Sequence, residues 1–298
     1  MLDHRYETLA ILAKTQSYTK TANQLFITQP AVSQQIAGLE TELNLELVHK
    51  VGNKIELTAT GMELVQYVTR IAVESHQVLE RLAQQRSGLS VTIGSTLSLS
   101  HFLLPDLIIQ LTEQRSKIQT VIGNTAEILE GLRSGQIQFG IVEGNFDKTE
   151  FDAIQIRSEP FVGVTYATNP ILENNQLSVA DCLIQPLLIR EKGSGTRAIF
   201  ASWLATQNYQ IADFQQQIEL SNPATIIECL KRRMGISFMY KSLVKPNLVT
   251  GELRTLSMRD FKVSHPINLI YLKDSYFAPA YQKIAQQLKK PLGEGSLH

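Results

Sequence analysis

Two sets of polar residues in this chain are spaced to do chemistry. The first is four short stretches: Ser95-Thr96-Leu97-Ser98, Asn124-Thr125, Gly193-Ser194-Gly195-Thr196-Arg197 and Ser221-Asn222-Pro223-Ala224-Thr225. Each follows a short apolar run and opens a helical pattern. Main-chain N–H groups at a helix start favour an anion, and hydroxyls add donors without adding charge. Gly193 and Gly195 allow close approach of the main chain. The same residue types also serve as plain helix caps, a role that needs no ligand. Four such stretches at strand ends favour an oxyanion or carboxylate site built from Ser95, Thr96, Ser98, Asn124, Thr125, Ser194, Thr196 and Thr225.

The second set lies between residues 19 and 54. Ala22, Leu25 and Phe26 form one apolar stripe at helical spacing, and Val32, Ile36 and Leu39 form another. Thr28 is a good N-cap, and Pro30 fits the first turn that follows. Two short helices joined by a tight turn are the helix-turn-helix pattern. Gln29, Ser33, Gln34 and Ala37 point away from the second stripe. Amides and hydroxyls on such a face can read base edges in a major groove. Lys50 and Lys54 flank a Gly52-Asn53 hairpin signal, which adds a wing with cations for phosphates. The DNA-contacting set is thus Thr28, Gln29, Pro30, Ser33, Gln34, Lys50 and Lys54. Two amphipathic helices of an ordinary core would share the spacing.

These sets need elements to position them. Residues 3–16 read as a helix with Tyr6, Leu9, Ala10 and Ala13 inward, a floor for the helix-turn-helix. Residues 29–42 are the recognition helix, and 43–57 carry the wing. Residues 61–86 lack proline and internal glycine after Gly61. In them Leu64, Val68, Ile71, Ser75, Val78 and Leu82 recur at steps of four and three, a heptad seam that calls for a partner. Ser87-Gly88 ends this helix in a hinge. From Ser90 short strands alternate with helices: Val91-Thr92-Ile93-Gly94, a helix through Leu111, Val121-Ile122-Gly123, a helix through Leu132, then Phe139-Gly140-Ile141-Val142. That order predicts a mainly parallel sheet. Leu187-Leu188-Ile189, Gln217-Ile218-Glu219-Leu220 and Gly235-Ile236-Ser237-Phe238 supply a second α/β lobe. Residues 267–272 and a helix over 279–290 complete the first, and 292–298 read as a tail.

Other chemistry is missing from the sequence. The six histidines are scattered without metal-ligand spacing. There is no Gly-x-Ser-x-Gly elbow and no phosphate-loop motif, so no catalytic residue, metal or cofactor is expected. Cys182 and Cys229 make no disulfide framework. Phe200 and Trp203 at helical spacing read as core. With 43% hydrophobic and 19% charged residues the chain is of the globular class, and no apolar run is long enough to span a bilayer. Asp3, His4, Arg5 and Glu7 interrupt the amino-terminal end, which does not read as a signal segment. A reducing cytoplasm is expected. Formal net charge is zero, and residues 1–61 hold five basic against six acidic side chains. Affinity for nucleic acid grows with phosphate neutralisation, so single modules should bind weakly and act in pairs.

The run Ala22-Asn23-Gln24-Leu25, then Thr28-Gln29-Pro30-Ala31-Val32-Ser33-Gln34-Gln35-Ile36, Leu39-Glu40 and Leu57-Thr58-Ala59-Thr60-Gly61 resembles the LysR-type transcriptional regulators. The resemblance implies a winged helix-turn-helix over 1–61 and a dimerising linker helix and hinge over 62–88. It implies a two-lobed α/β effector domain over 89–298, similar to type 2 periplasmic binding proteins. Lobe I spans about 89–161 and 266–291, and lobe II about 162–265, with crossovers near Pro160-Phe161 and His265-Pro266. The implied partners are double-stranded DNA, a small-molecule effector, a second copy along the linker helix, a homotetramer beyond that, and RNA polymerase. No membrane is implied.

The run from Arg190 to Arg197 is similar to members that control sulfur assimilation or carbon fixation, whose effectors tend to be small anions. Arg197 then either clamps the anion or pairs with Glu191. His49, Asn53, Gln34 and Ala37 stand where the family often has basic residues, and Arg233 stands where it usually has a small residue or glycine. A solute-binding protein, and an enzyme fused to a DNA-binding module, are the competing classes. The first sixty residues speak against the former, and the missing nucleophile–base pair against the latter.

Overall fold

The computed structural model describes residues 3–52, 54–84, 90–112 and 117–289. Asn53, the Ser87-Gly88 hinge and the 292–298 tail lie outside these. The chain divides into two compact units, Met1–Ala83 and Gln84–His298.

In the first unit, helices α1 (His4–Thr15), α2 (Tyr18–Leu25) and α3 (Gln29–Leu43) precede a hairpin of β1 (Val48–Val51) and β2 (Lys54–Leu57), then α4 (Ala59–Gln84). Each of the first three helices begins with a side-chain cap: Asp3, Ser17 and Thr28. Leu9, Leu12, Ile36, Leu39 and Leu47 make a dry core, on which Ile55, Leu57, Leu64 and Val65 also pack. Phe26 departs from the expected stripe. It ends α2 in the left-handed region (φ 56°) and is 96% exposed. The turn therefore takes it off the face that Ala22 shares with the core.

Glu40 ties the wing to α3, its Oε1 accepting from the Leu47 and Val48 N–H groups at 2.8 and 3.2 Å. The Leu57-Thr58-Ala59-Thr60-Gly61 run also has a local cause. Thr58 Oγ1 accepts from the Gly61 N–H at 2.9 Å and donates to Glu46 O at 2.7 Å. A Cβ on Gly61 would lie 2.0 Å from Leu47 O, so only glycine fits there. Helix α4 starts two residues earlier than the periodicity predicts, because Thr58 is placed to cap it.

The second unit contains β3 (Ser90–Thr96), α5 (Leu97–Ser100), α6 (Leu104–Thr112), β4 (Lys117–Gly123), α7 (Thr125–Arg133), β5 (Phe139–Val142) and β6 (Phe151–Tyr166). Then come α8 (Val179–Leu183), β7 (Leu187–Arg190), α9 (Gly195–Thr206), β8 (Gln217–Leu220), α10 (Pro223–Lys231) and β9 (Ile236–Tyr240). The unit closes with α11 (Lys241–Val249), β10 (Leu253–Thr255), β11 (Val263–Leu272) and α12 (Ala278–Lys289). The single helix expected after β3 is instead two, with a turn over residues 101–103 between α5 and α6; Pro105 occupies the first turn of α6, where its missing N–H is tolerated.

Among the described residues one continuous sheet runs β4-β3-β5-β11-β6-β9-β7-β8, with β10 also on β6. It is mixed rather than mainly parallel. β3 pairs in parallel with β4 and β5, and β7 with β8 and β9. β6 and β11, by contrast, run antiparallel to each other and to their neighbours. These two long strands are the crossovers: Pro160 lies opposite Ser264, and Glu159 opposite His265. β6 starts in lobe I and ends in lobe II, and β11 runs back from lobe II to lobe I. The apolar runs of β5 and β9 are buried throughout, as strands covered on both faces must be. Phe200 stacks on Phe238 at 3.9 Å, and Trp203 meets Phe261 edge-on at 4.5 Å, so both belong to the lobe II core. Arg233 has φ 65°, a conformation that favours glycine.

Candidate DNA interface and effector cleft

The DNA-facing set is built on α3. Thr28 Oγ1 accepts from the Ala31 N–H at 3.4 Å, so its hydroxyl is engaged as the cap. Gln29, Pro30, Gln34 and Ala37 are exposed, and Ser33 is half-buried. Gln35 is turned the other way and accepts from the buried Thr8 hydroxyl of α1. Lys50 and Lys54 are both exposed, but they do not share a face. Lys50 pairs with Ile55 and Lys54 with Val51, so the strand alternation places them on opposite sides of the ribbon. Lys50 is on the side of Val48, Ile55 and Leu57, which pack on the core. Lys54 shares the outer side with His49 and Glu56.

In the second unit, parallel strands bring β3 and β5 of lobe I, and β7 of lobe II, to end at the cleft between the lobes. Three of the expected residues, Thr96, Thr125 and Thr196, bond there to one residue the sequence reading passed over, Glu143. It directly follows β5 and is only 1% exposed. Its carboxylate accepts from the hydroxyl of Thr96 in lobe I and, at 3.3 Å, from that of Thr196 in lobe II. The Ser98 and Thr196 hydroxyls are 3.1 Å apart, and Arg190 Nη1 donates to Ser98 Oγ at 3.3 Å. A hydroxyl has one proton to give, and a guanidinium has none to accept. The chain therefore runs one way: Arg190 to Ser98, Ser98 to Thr196, Thr196 to Glu143. Every donor ends on the Glu143 carboxyl.

The main chain is as close as the side chains. Thr125 Oγ1 donates to Glu143 O at 3.0 Å. A Cβ on Gly195 would stand 2.5 Å from that same oxygen, so the start of α9 touches lobe I only because residue 195 is glycine. Ser95 is buried and donates to Thr96 O at 3.2 Å. Ser194 is buried as the N-cap of α9, without a cap bond from its side chain. Asn124 is spent on a capping box with Glu127. Thr225 does not join the group. It is exposed on the first turn of α10, because Asn222 rather than Thr225 faces the helix start as its cap.

Arg190 is 4% exposed and bidentate with Glu191, at 2.8 and 2.9 Å. Arg197 does not pair with Glu191. It donates to Arg190 O at 2.7 Å and to Glu219 at 2.9 Å. Burial pushes the Glu143 carboxyl above its ordinary value, opposed by the Thr96 hydrogen bond, the Arg190 charge and the Thr196 hydrogen bond. Tyr240, at the end of β9, is wholly buried, and its hydroxyl has no hydrogen-bond partner. Burial raises its phenol, as do the negative charges of Glu143 and Glu159. Beside this network a cavity of about 370 Å³ lies between the starts of α7 and α9, lined by Thr125, Asn145, Lys192, Gly193, Ser194 and Arg197. Its size suits a small metabolite.

The sequence signal that would have found Glu143 is its place: an acidic residue directly after a fully apolar strand, followed by Gly144 at φ 96°. Among the described residues no three His, Cys, Asp or Glu side chains are grouped to hold a metal, and no helix is long and apolar enough to cross a membrane.

Comparison with known proteins bears on both units. A model described as "LysR substrate binding domain" matches residues 83–292, and one described as "Bacterial regulatory helix-turn-helix protein, lysR family" matches residues 4–62. The HTH-type transcriptional activator CmpR of Synechocystis sp. is 24% identical over 288 residues, covering 96% of this chain and 94% of that protein. The RuBisCO operon transcriptional regulator of Allochromatium vinosum is 24% identical over 275 residues, covering 90% and 89%. Among solved structures, the Synechocystis PCC6803 CcmR regulatory domain in complex with 2-PG superposes with a TM-score of 0.60 at 15% identity, covering 68% of this chain and 98% of that one. The two matched models cover the reading helix and the two-lobed cleft in a single chain, and this chain belongs to the LysR family, as a DNA-binding transcriptional regulator with an effector-binding domain.

Proposed function

We propose that a small anionic effector binds in the cleft between the lobes and changes how the paired winged helices sit on an operator. The observation that carries this is the convergence of Thr96, Ser98, Thr125, Ser194 and Thr196, from both lobes, at the start of α9, with Arg190 buried among them and Lys192 on the cavity wall. Donors held by two bodies reward closure of one on the other, so ligand binding shifts a population of lobe arrangements. The regulator works in this reading as a cytoplasmic homodimer along α4, assembled into a tetramer, and meets RNA polymerase at the promoter. Base reading falls to Gln29, Ser33 and Gln34, and phosphate contact to the wing, through one of Lys50 and Lys54. The 2-PG complex of the CcmR domain supports a small-molecule effector in this fold.

The test is calorimetry on the full chain with a panel of oxyanions, short carboxylates and neutral analogues. Thr196→Val should weaken anion binding and leave ligand-free operator binding near wild type. Binding of neutral analogues in preference to anions would overturn the reading.

A further inference from the structure

A second cavity, of about 420 Å³, lies outside the network around Glu143. Its walls are α9, the Gly144-Asn145 bend after β5, and residues 262–265 at the start of β11. It shares only Asn145 and Ala198 with the cavity at the starts of α7 and α9. Three local contacts hold these walls. A Cβ on Gly144 would lie 3.0 Å from Gly195 Cα, so the bend packs against α9 because that residue is glycine. Ser264 Oγ is 2.9 Å from Ser158 Oγ, which ties the β11 wall to β6. Trp203 meets Phe200 and Phe261 on its core side, and it is half-buried, so the rest of its surface is left to the cavity.

We propose that this groove is a second ligand site, for a monocarboxylate whose body is an apolar ring. Ile199, Trp203 and Val263 supply its apolar surface, and Lys262 and His265 are its only titratable side chains. Burial holds His265 below its ordinary value, so it is neutral near pH 7. Lys262 is exposed, and among the described residues no carboxylate pairs with it. No acidic side chain lines the groove. A monoanion therefore meets one cation and no like charge, whereas a bound cation finds no counter-charge and a second negative charge goes unmatched. An exposed lysine contributes little alone. Most of the affinity must come from covering Ile199, Trp203 and Val263, which a small inorganic anion cannot do. A ring can, and it can lie against the indole as aromatic pairs do. The Ser202 hydroxyl on α9 is on the same wall and offers the carboxylate a further donor.

Trp203 is the only tryptophan of the chain, so its fluorescence reads this groove directly. Phenylacetate titrated into the full chain at pH 7 should change that fluorescence saturably, in the millimolar range or below. Acetate keeps the charge, loses the ring and should bind about tenfold or more weakly. Loss of the charge should weaken binding about two- to fivefold, the scale of an exposed ion pair, whether it is lost from the ligand, as in 2-phenylethanol, or from the protein, as in Lys262→Met. Ser202→Leu fills the groove from an exposed position and should abolish the response with an unchanged thermal unfolding curve. Thr196→Val, altered in the cleft network, should respond as wild type does. A response that does not saturate, one that Ser202→Leu retains, or 2-phenylethanol bound as tightly as phenylacetate would overturn the proposal. A response lost in Thr196→Val and kept in Ser202→Leu would place phenylacetate in the cleft, and would overturn this second site while supporting the first.

Discussion

Thr196 of lobe II donates to the buried carboxylate of Glu143 of lobe I across 3.3 Å. The same threonine is 3.1 Å from Ser98, also of lobe I. The two lobes are thus joined by the hydroxyls that the proposed effector would use. In that reading a ligand must enter and rearrange a closed network, and its affinity is a difference between two sets of hydrogen bonds.

Thr196→Val keeps the shape of the side chain and removes the link. A hydrogen bond to a charged group contributes roughly 1.5–3 kcal/mol, so anion affinity should fall by about ten- to a hundredfold. Ligand-free operator binding should stay near wild type in gel-shift titrations, since the residues proposed to contact DNA lie within 28–54. Unchanged anion affinity would place the ligand elsewhere.

Glu143 gives the effector domain a pH dependence of definite sign. Its folded value lies above its ordinary one, about 4.5, because burial outweighs the bonds from Thr96 and Thr196 and the charge of Arg190. The folded state then holds this proton more tightly than the unfolded chain. Its contribution to stability is complete below about pH 4.5 and is lost as pH rises through the folded value. Carboxylates held low, such as Asp147 and Asp181, act in the opposite direction and only on the acid side of their ordinary range. Thermal unfolding of wild type should show a decline above pH 4.5 that Glu143→Gln lacks, with the variant at least as stable at pH 8. Parallel curves for the two proteins would mean that Glu143 does not titrate there.

The elements were legible in the sequence where a repeat or a cap wrote them. The α3 cap at Thr28, the wing turn at Gly52 and the strand at residues 187–190 follow from spacing and turn chemistry. The cleft was legible as a set of hydroxyls but not as a network. Its centre is a lone acidic residue after β5, and no spacing rule joins Glu143 to Thr196, which meets it only through the crossover of β6 and β11. Arg190 reads as the last residue of a strand, and only the fold shows it buried beside Ser98. Thr225 fails for the converse reason: its type fits a helix-start site, while its place on α10 leaves it in solvent. Phe26 fails because it is itself the left-handed residue that ends α2 and so leaves the face of the stripe.

The proposed readers and anchors of DNA can be tested separately. Gln34→Ala removes an exposed amide from α3 and should cost roughly 1–3 kcal/mol on the operator, with little loss on random DNA. Gln35→Ala should instead act on stability, through Thr8. Lys54→Ala and Lys50→Ala remove cations from opposite sides of the wing, so the two should differ. The lysine that meets phosphates should lower the salt slope by about one when removed, and the other should not. Equal slopes for both single variants would mean that the wing contacts DNA by neither side alone.

Assembly along α4 needs a probe that spares the fold. Val68 is buried within the protomer, so a charge there would test folding rather than association. Leu64 is likewise committed, since it packs on the winged-helix core. Leu79 and Leu82, near the far end of the helix, are both about half exposed, at 51% and 52%. Large aliphatic side chains open to water three residues apart on a 26-residue helix are the surface a second copy would cover. Leu79→Glu with Leu82→Glu should leave the circular dichroism and thermal unfolding of the effector domain unchanged, because neither side chain is in a core. If α4 is the dimer seam, the variant should sediment as a monomer at concentrations where wild type is larger. It should then lose operator affinity by more than a single module's share, since two winged helices no longer act at one effective concentration. A double variant that still sediments with wild type would put the interface on another surface.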